Sequence, residues 1–341
     1  MVKKRALYIG IYTDGTTSRM RADTLKQLLP GWDYQVIDTD VPFRKRNRVF
    51  RSIGFRYKLG PVVADVNNYV RSNMRQQEYD LVWVDKAIYL TFETTKRIRQ
   101  LARKLVHYTP DMAFFENRSQ HFFKSLTLYD FAVTTKRKEL ADYFSLIPEN
   151  KVILTTQGFD KSIHQPMHEF RSKVNRVAFV GLCEPAREQV LQLLIDNQVE
   201  VALAGQNWST FVQKNKDNPY LKYFGDALWN RAYAELISSS YFSLGLLSKR
   251  FPELHTTRTF EIPACGTALI TEKNEDTGSF YSDDEVIFFN DITELPAKLK
   301  YYQSNLGQLE RITRNGYNRV HQGGYDYVSI MNRLLGQIAN D

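Results

Sequence analysis

Short apolar runs recur along the whole chain, and longer stretches with helical spacing of apolar positions lie between them. In the first half the runs are 6–12, 34–37, 81–84, 104–107, 131–134 and 152–154. The second half repeats the rhythm at 176–180, 199–204, 241–246, 267–271 and 286–289. Strands alternating with helices predict a parallel α/β architecture. A chain of 341 residues with 43% hydrophobic content can build more than one core, so two domains are expected. Residues 325–338 read as a last helix.

No apolar run reaches the ~18 residues of a membrane span. The basic start, followed by a short apolar run without a small-residue cleavage site, reads as a first buried strand rather than a signal peptide. Two cysteines, Cys183 and Cys265, lack metal-ligand spacing and suit a reducing compartment, so a cytoplasmic location is expected.

The formal charge of +8 is local. Residues 43–58 hold seven Lys/Arg and no acid, and the rest of the chain is nearly neutral. Within that segment Val49, Phe50, Ile53 and Tyr57 recur at helical spacing opposite arginines, the pattern of a basic amphipathic helix on an anionic membrane surface, with Arg44 to Lys58 as the contact. The competing reading is a helix that packs the same stripe on its own domain. Nucleic acid is not expected as a partner, because no recognition signature accompanies the charge.

Candidate chemistry concentrates between Glu253 and Thr271. Two carboxylates, Glu253 and Glu261, stand eight positions apart around the polar turn Thr256-Thr257-Arg258, and a glycine and a strand follow. A helix start has unpaired N–H donors that can hold phosphate oxygens, which gives Thr256, Thr257 and Arg258 a phosphate role. A carboxylate a turn later can accept two hydroxyl hydrogen bonds, which suits Glu261 to a ribose. Glu253, in the preceding loop, could touch a sugar. Together these features fit a nucleotide sugar, against the plain alternative of two solvated glutamates.

Other candidates sit at predicted strand ends. The loop after the first strand carries Thr17, Ser18, Arg19 and Arg21 and could hold an anion, although a Thr/Ser-capped glycine turn is common structural furniture. Lys86 and Asp111 follow later strands. His107 could act on a hydroxyl proton or be a satisfied strand-end histidine. Gly205, Trp208 and Tyr223 could line a base pocket, with Trp208 equally suited to a core.

The string Thr256-Thr-Arg-Thr-Phe-Glu-Ile-Pro-Ala-Cys-Gly266 resembles the spore-maturation, CgeB-type glycosyltransferases. Similarity extends through Val177-Ala-Phe-Val-Gly-Leu182, Tyr223-Phe-Gly-Asp-Ala-Leu-Trp-Asn230, Tyr301-Tyr302 and Asn315-Gly-Tyr317. The resemblance implies two Rossmann-like domains facing a cleft, the GT-B arrangement. Residues 1–165 would be the acceptor domain, 166–322 the nucleotide-sugar domain and 323–341 a helix returning to the first. Gln157-Gly-Phe-Asp160 with His164-Gln-Pro166 resembles the segment that ends the first domain, which puts the hinge near 160–175.

The wider retaining group has a Glu-x7-Glu motif, matched by Glu253 and Glu261. It also has basic residues one and six positions after a strand-ending glycine, here Gly181. Position six is Arg187. Position one is Leu182, a departure that makes Arg258 the expected second phosphate contact. The resemblance implies transfer of a sugar from a nucleotide-sugar donor, expected to be UDP-linked, to a hydroxyl of a glycan, lipid-linked glycan or protein, with retention and without a metal or other cofactor. The alternatives are a nucleotide-sugar epimerase or hydrolase on the same fold, and a non-catalytic module using residues 43–58.

Overall fold

A parallel strand pair needs a crossover, and the polar, helix-forming stretches between the apolar runs supply it. The computed structural model describes residues 3–339 and divides into two compact units, the chain passing from one to the other after Thr156 and back before Tyr327.

The first unit holds β1 (Arg5–Gly10), β2 (Asp33–Asp38), β3 (Tyr79–Asp85), β4 (Ala102–Thr109), β5 (Phe131–Thr134) and β6 (Val152–Leu154). All pair in parallel in the order β2-β1-β3-β4-β5-β6. Side chains alternate between faces, so successive residues feed two cores. Leu7, Ile9, Val82, Val84 and Leu105 pack on the side of helix Pro61–Asn73. Ala6, Tyr8, Trp83, Val106 and Tyr108 pack on the side of helices Thr17–Leu28 and Tyr327–Ala339. The last helix thus completes the first unit, through Ile330, Met331, Leu334 and Ile338. Each such side chain, fully buried, contributes about 1.5–3 kcal/mol.

The second unit holds β7 (Val174–Val180), β8 (Val201–Ala204), β9 (Leu221–Tyr223), β10 (Ser240–Leu244), β11 (Ala268–Glu272) and β12 (Ile287–Phe289), again all parallel, in the order β12-β11-β10-β7-β8-β9. Counted from β7 this is the Rossmann order, with its reversal between β7 and β10. β9 was not among the expected strands. It is three residues long at a sheet edge, and its centre is the exposed Lys222, so it offers no apolar run to read.

The passage at 156–157 lies before the expected hinge because the next residues are tied to the second unit. The Gln157 N–H donates to His255 Nε2 at 3.2 Å and the Phe159 N–H to the Tyr325 carbonyl at 3.3 Å.

Several expected site residues of the first unit are framework instead. Arg21 is buried and makes a bidentate pair with Asp85, Nε to Oδ2 at 2.8 Å and Nη2 to Oδ1 at 3.1 Å. Tyr8 donates to the same carboxylate at 2.8 Å, and the Ser18 hydroxyl turns inward, 3.0 Å from the Tyr8 oxygen. The helix start is closed as well, since Thr16 caps it by accepting from the Arg19 N–H. Arg19 itself pairs with Asp14 and Asp23, beside the partly exposed Thr17.

His107 lies inside the sheet, not at its end. Its ring is buried against Phe122, 4.4 Å between centroids, and Tyr129, and Nδ1 has no hydrogen-bond partner. Burial lowers its pKa to about 3, so it stays neutral and has no reach to a substrate hydroxyl. The unfolded chain takes up a proton on this ring below its usual value near 6.5, while the folded chain does not. Stability is therefore fully present above pH 6.5 and lost as pH falls toward 3. Between pH 6.5 and 4.5 the loss attributable to His107 should be about 2 kcal/mol, and His107→Leu should remove that part of the acid slope in urea titrations at the two pH values. An unchanged slope would mean the ring titrates normally.

Candidate functional site

In an open parallel sheet, ligands collect beyond the carboxyl ends of the strands where the strand order reverses. In the second unit that place lies beyond Val180 and Leu244, where the chain runs on through Gly181 and Leu246. Two guanidiniums converge there. Arg187 is 6% exposed and donates from Nη1 to the Leu182 carbonyl at 3.1 Å and from Nη2 to the Leu246 carbonyl at 3.5 Å. Arg258 donates from Nη2 to the same Leu246 carbonyl at 3.3 Å and from Nη1 to the Val180 carbonyl at 3.5 Å.

Three of these four bonds exceed the usual N–H···O range, and the Nε of each arginine is buried with no partner. Burial, and then the Arg258 charge beside it, lower the Arg187 pKa, while Glu184 and Glu253 work in the opposite direction. Two like charges share one carbonyl with donor capacity to spare, one of them paired with Glu184, an arrangement that can accept an anion. Arg258, from the start of helix Arg258–Ala264, stands beside Arg187, from helix Pro185–Asp196.

Glu184 went unnoticed in the sequence. It is buried, pairs with Arg187 Nη1 at 3.2 Å and accepts from the Ser248 hydroxyl at 2.9 Å. Its only local signal is its place before Pro185 at the start of the helix.

Glu261, 6% exposed, lies on the same helix as Arg258. The Tyr233 hydroxyl donates to its Oε2 at 2.9 Å, and His164 Nε2 stands 3.6 Å from its Oε1. Because the Asp160 N–H points at His164 Nδ1, at 3.1 Å, the ring proton belongs on Nε2, facing the carboxylate. A carboxylate has about four acceptor sites, so these partners leave room for two hydroxyl donors. The sequence marks neither partner as part of a site. His164 lay in the segment noted only as a hinge, and Tyr233 had no signal.

The loop before the helix is held from beneath. His255 is buried, its Nδ1 2.8 Å from Asp276 Oδ2 and its Nε2 accepting from Gln157, while Asn274 Nδ2 donates to the Leu254 carbonyl. Glu253, partly exposed, follows a tight turn in which its N–H donates to the Phe251 carbonyl. The Thr256 N–H is taken by the Thr259 hydroxyl, so it is not the phosphate donor expected, but the buried Thr256 hydroxyl has no partner. Thr257 is partly exposed at the helix start.

Gly181 and Gly205 serve close approach. A Cβ on Gly205 would lie 1.9 Å from the Gly181 oxygen, and φ there is +140°, so only glycine fits. Trp208 is core: fully buried, it donates from Nε1 to the Gly181 carbonyl at 2.8 Å, and so supports the site without lining it. Tyr223 stays partly exposed. Its hydroxyl lies 2.6 Å from Asp226 and 3.2 Å from the Gly205 carbonyl, and its pKa is pushed up to about 12 by burial and by Asp226.

In the first unit, Lys86 and Asp111 come together as a half-buried ion pair at 2.5 Å. Burial alone would raise the Asp111 carboxyl, but the Lys86 ammonium outweighs it and holds the group below its ordinary value. Nothing brings His107 to that pair.

Residues 182–336 match a family described as Glycosyl transferase-like. No curated protein matches the sequence significantly. Among solved structures, sucrose-phosphate synthase of Thermosynechococcus elongatus is 13% identical and superposes with a TM-score of 0.69 over 99% of this chain and all of that one. HepE of Anabaena in complex with UDP-glucose is 14% identical, with a TM-score of 0.65 and the same coverage. The trehalose 6-phosphate synthase of Burkholderia multivorans is 10% identical, with a TM-score of 0.63 over 100% of this chain and 99% of that one. At such identities the likeness is one of fold: this chain has the two-Rossmann-unit, GT-B architecture of these glycosyltransferases.

Proposed function

We propose that the protein is a CgeB-type, Glu-x7-Glu glycosyltransferase that moves a sugar, a hexose in the simplest case, from a UDP-linked donor to a hydroxyl of a glycan, lipid-linked glycan or protein. The observation that carries this reading is the meeting of two guanidiniums at the strand-order reversal of the second unit, the buried Arg187 and the partly exposed Arg258, each with a buried, unpartnered Nε, with Arg258 on the same helix as Glu261. HepE, solved with UDP-glucose, has the same fold, which favours a uridine donor.

The roles follow from the chemistry of each group. Arg187 and Arg258 take the diphosphate, where bidentate contacts replace their long bonds to carbonyls. Glu261, steadied by Tyr233 and His164, accepts from the ribose diol. Glu253 meets the transferred sugar. As the bond from the sugar carbon to the phosphate oxygen breaks, negative charge grows on the diphosphate, and the two cations offset it without having to reorganise. The acceptor oxygen forms the new bond on the same face, and its proton passes to the leaving phosphate oxygen, so retention needs no protein base. Two fixed cations supply the charge a metal would, which makes the transfer metal-independent.

The test is thermal denaturation with UDP, GDP, CMP and their sugars, on the parent and on Glu261→Gln. A ligand at ~100 times its dissociation constant adds about 2.7 kcal/mol of stability. UDP and a UDP-sugar should stabilise the parent, and clearly less the variant. Stabilisation by none of the nucleotides, or an equal effect on both proteins, would sink the reading. UDP release that depends on added acceptor distinguishes transfer from hydrolysis.

A further inference from the structure

The helix Arg48–Tyr57 wastes its apolar residues if the protein is surrounded only by water. Val49, Phe50, Ile53, Phe55, Tyr57 and Leu59 are all exposed, Val49 by 64% and Leu59 by 61%, six large apolar side chains within eleven residues. The expectation that this stripe packs on its own unit fails. Gly54 is the helix's buried residue, pressed on Val62 so closely that a Cβ would stand 2.8 Å from the valine Cβ. A stable contact through a glycine holds the helix on the surface and turns the larger side chains outward.

At 3.6 residues per turn, Val49, Phe50, Ile53 and Tyr57 occupy an arc of about 100° beside the seated face, Arg56 borders its other edge, and Arg48 lies roughly 80° further round. Carboxylates do not cancel this charge. Asp40 pairs with Arg44 and Asp65 with Arg46, and residues 43–58 contain no acid, so among the described residues Lys45, Arg48 and Arg56 remain exposed and uncompensated.

We propose that this helix and its flanks, Arg44 to Lys58, dock the protein on an anionic lipid bilayer. A bilayer interface uses both halves of the surface at once: the apolar arc enters the boundary between headgroups and acyl chains, and the bordering cations meet anionic headgroups. Other occupants use only one half. Nucleic acid would engage the arginines, but Val49, Ile53 and Leu59 have no ring face on which a base can stack. A second copy meeting the same face would set Arg48 and Arg56 against their own equivalents, a like-charge contact. The proposal stands apart from the sugar-transfer reading, because its test needs no activity.

The experiment is co-sedimentation of the full chain with phosphatidylcholine vesicles with and without phosphatidylglycerol, at low and high salt. Binding should appear with phosphatidylglycerol and weaken with salt. Arg48→Gln and Arg56→Gln should each lower the partition coefficient about fivefold. Val49→Ser with Ile53→Ser should lower it by about tenfold or more with the salt dependence kept. Unchanged thermal melting shows that these surface variants fold. The proposal is overturned if phosphatidylglycerol vesicles do not bind at low salt, or if the serine variant binds them as the parent does. It is equally overturned if the face proves to close a dimer, or to hold an oligonucleotide in preference to the vesicles.

Discussion

Arg187→Ala should weaken binding of a nucleoside diphosphate by about 10–100-fold, since a hydrogen bond to a charged group is worth about 1.5–3 kcal/mol. The loss in kcat/KM for sugar transfer should be larger, about 10²–10³-fold, because the diphosphate gains charge in the transition state. Arg258→Ala should behave alike, and the double variant should lose less than the product of the two, as both cations act on one anion. One complication has a control. Removing Arg187 leaves the buried Glu184 with Ser248 as its remaining partner in the site, which costs stability whatever the function. Adding Glu184→Gln to Arg187→Ala should recover melting temperature without recovering affinity. If affinity returned with the melting temperature, Arg187 would be a structural cation and the diphosphate role would fall.

Arg21→Met should destabilise the first unit by about 3–5 kcal/mol, the cost of leaving one half of a buried ion pair uncompensated. For a unit of this size that corresponds to a fall of about 10 °C in its melting transition. The pair is fully enclosed, with side-chain exposures of 1% and 0%, and Arg21 also lies over the Tyr108 ring at 4.6 Å and the Tyr327 ring at 5.8 Å. Loss of the guanidinium therefore strands Asp85 and loosens the seat of the last helix. Arg21→Met combined with Asp85→Leu should be less damaging than Arg21→Met alone, because no charge is then left in the core. Calorimetry of the parent, Arg21→Met, Asp85→Leu and the double variant measures this, and a double variant as unstable as the sum of its parts would show that the pair is not coupled.

The same chemistry, an arginine near a strand end, gave opposite outcomes in the two units, and local sequence does not distinguish them. Arg21 and Arg187 both sit near the start of helices that follow a strand and a glycine. Arg21 meets Asp85 of a neighbouring strand in a bidentate pair that neutralises it, with Nη1 left unpartnered. Arg187 meets the buried Glu184, but also a second cation, Arg258, that shares a carbonyl with it. Partners brought from 64 and 71 positions away decide between framework and site. His107 shows the same limit, since a helix that packs Phe122 over its ring turned a strand-end candidate into core.

What the sequence determined by itself was whatever depends on neighbours in the chain. The alternation of apolar runs and amphipathic stretches sets strands and helices, and eleven of the twelve strands follow from it; the short β9, with Lys222 at its centre, does not. The spacing of Glu253, Arg258 and Glu261 is also a property of one short segment, and the helix Arg258–Ala264 carries the latter two on successive turns. Only the tertiary structure decided which side chains lose water and what they meet when they do. Burial and long-range pairing seated Tyr233 and His164 on Glu261, Glu184 on Arg187 and Asp85 on Arg21, and left the stripe from Val49 to Tyr57 in solvent. The physical reason is that a hydrogen bond or ion pair draws its strength from desolvation and geometry, and both are set by the packing of distant elements.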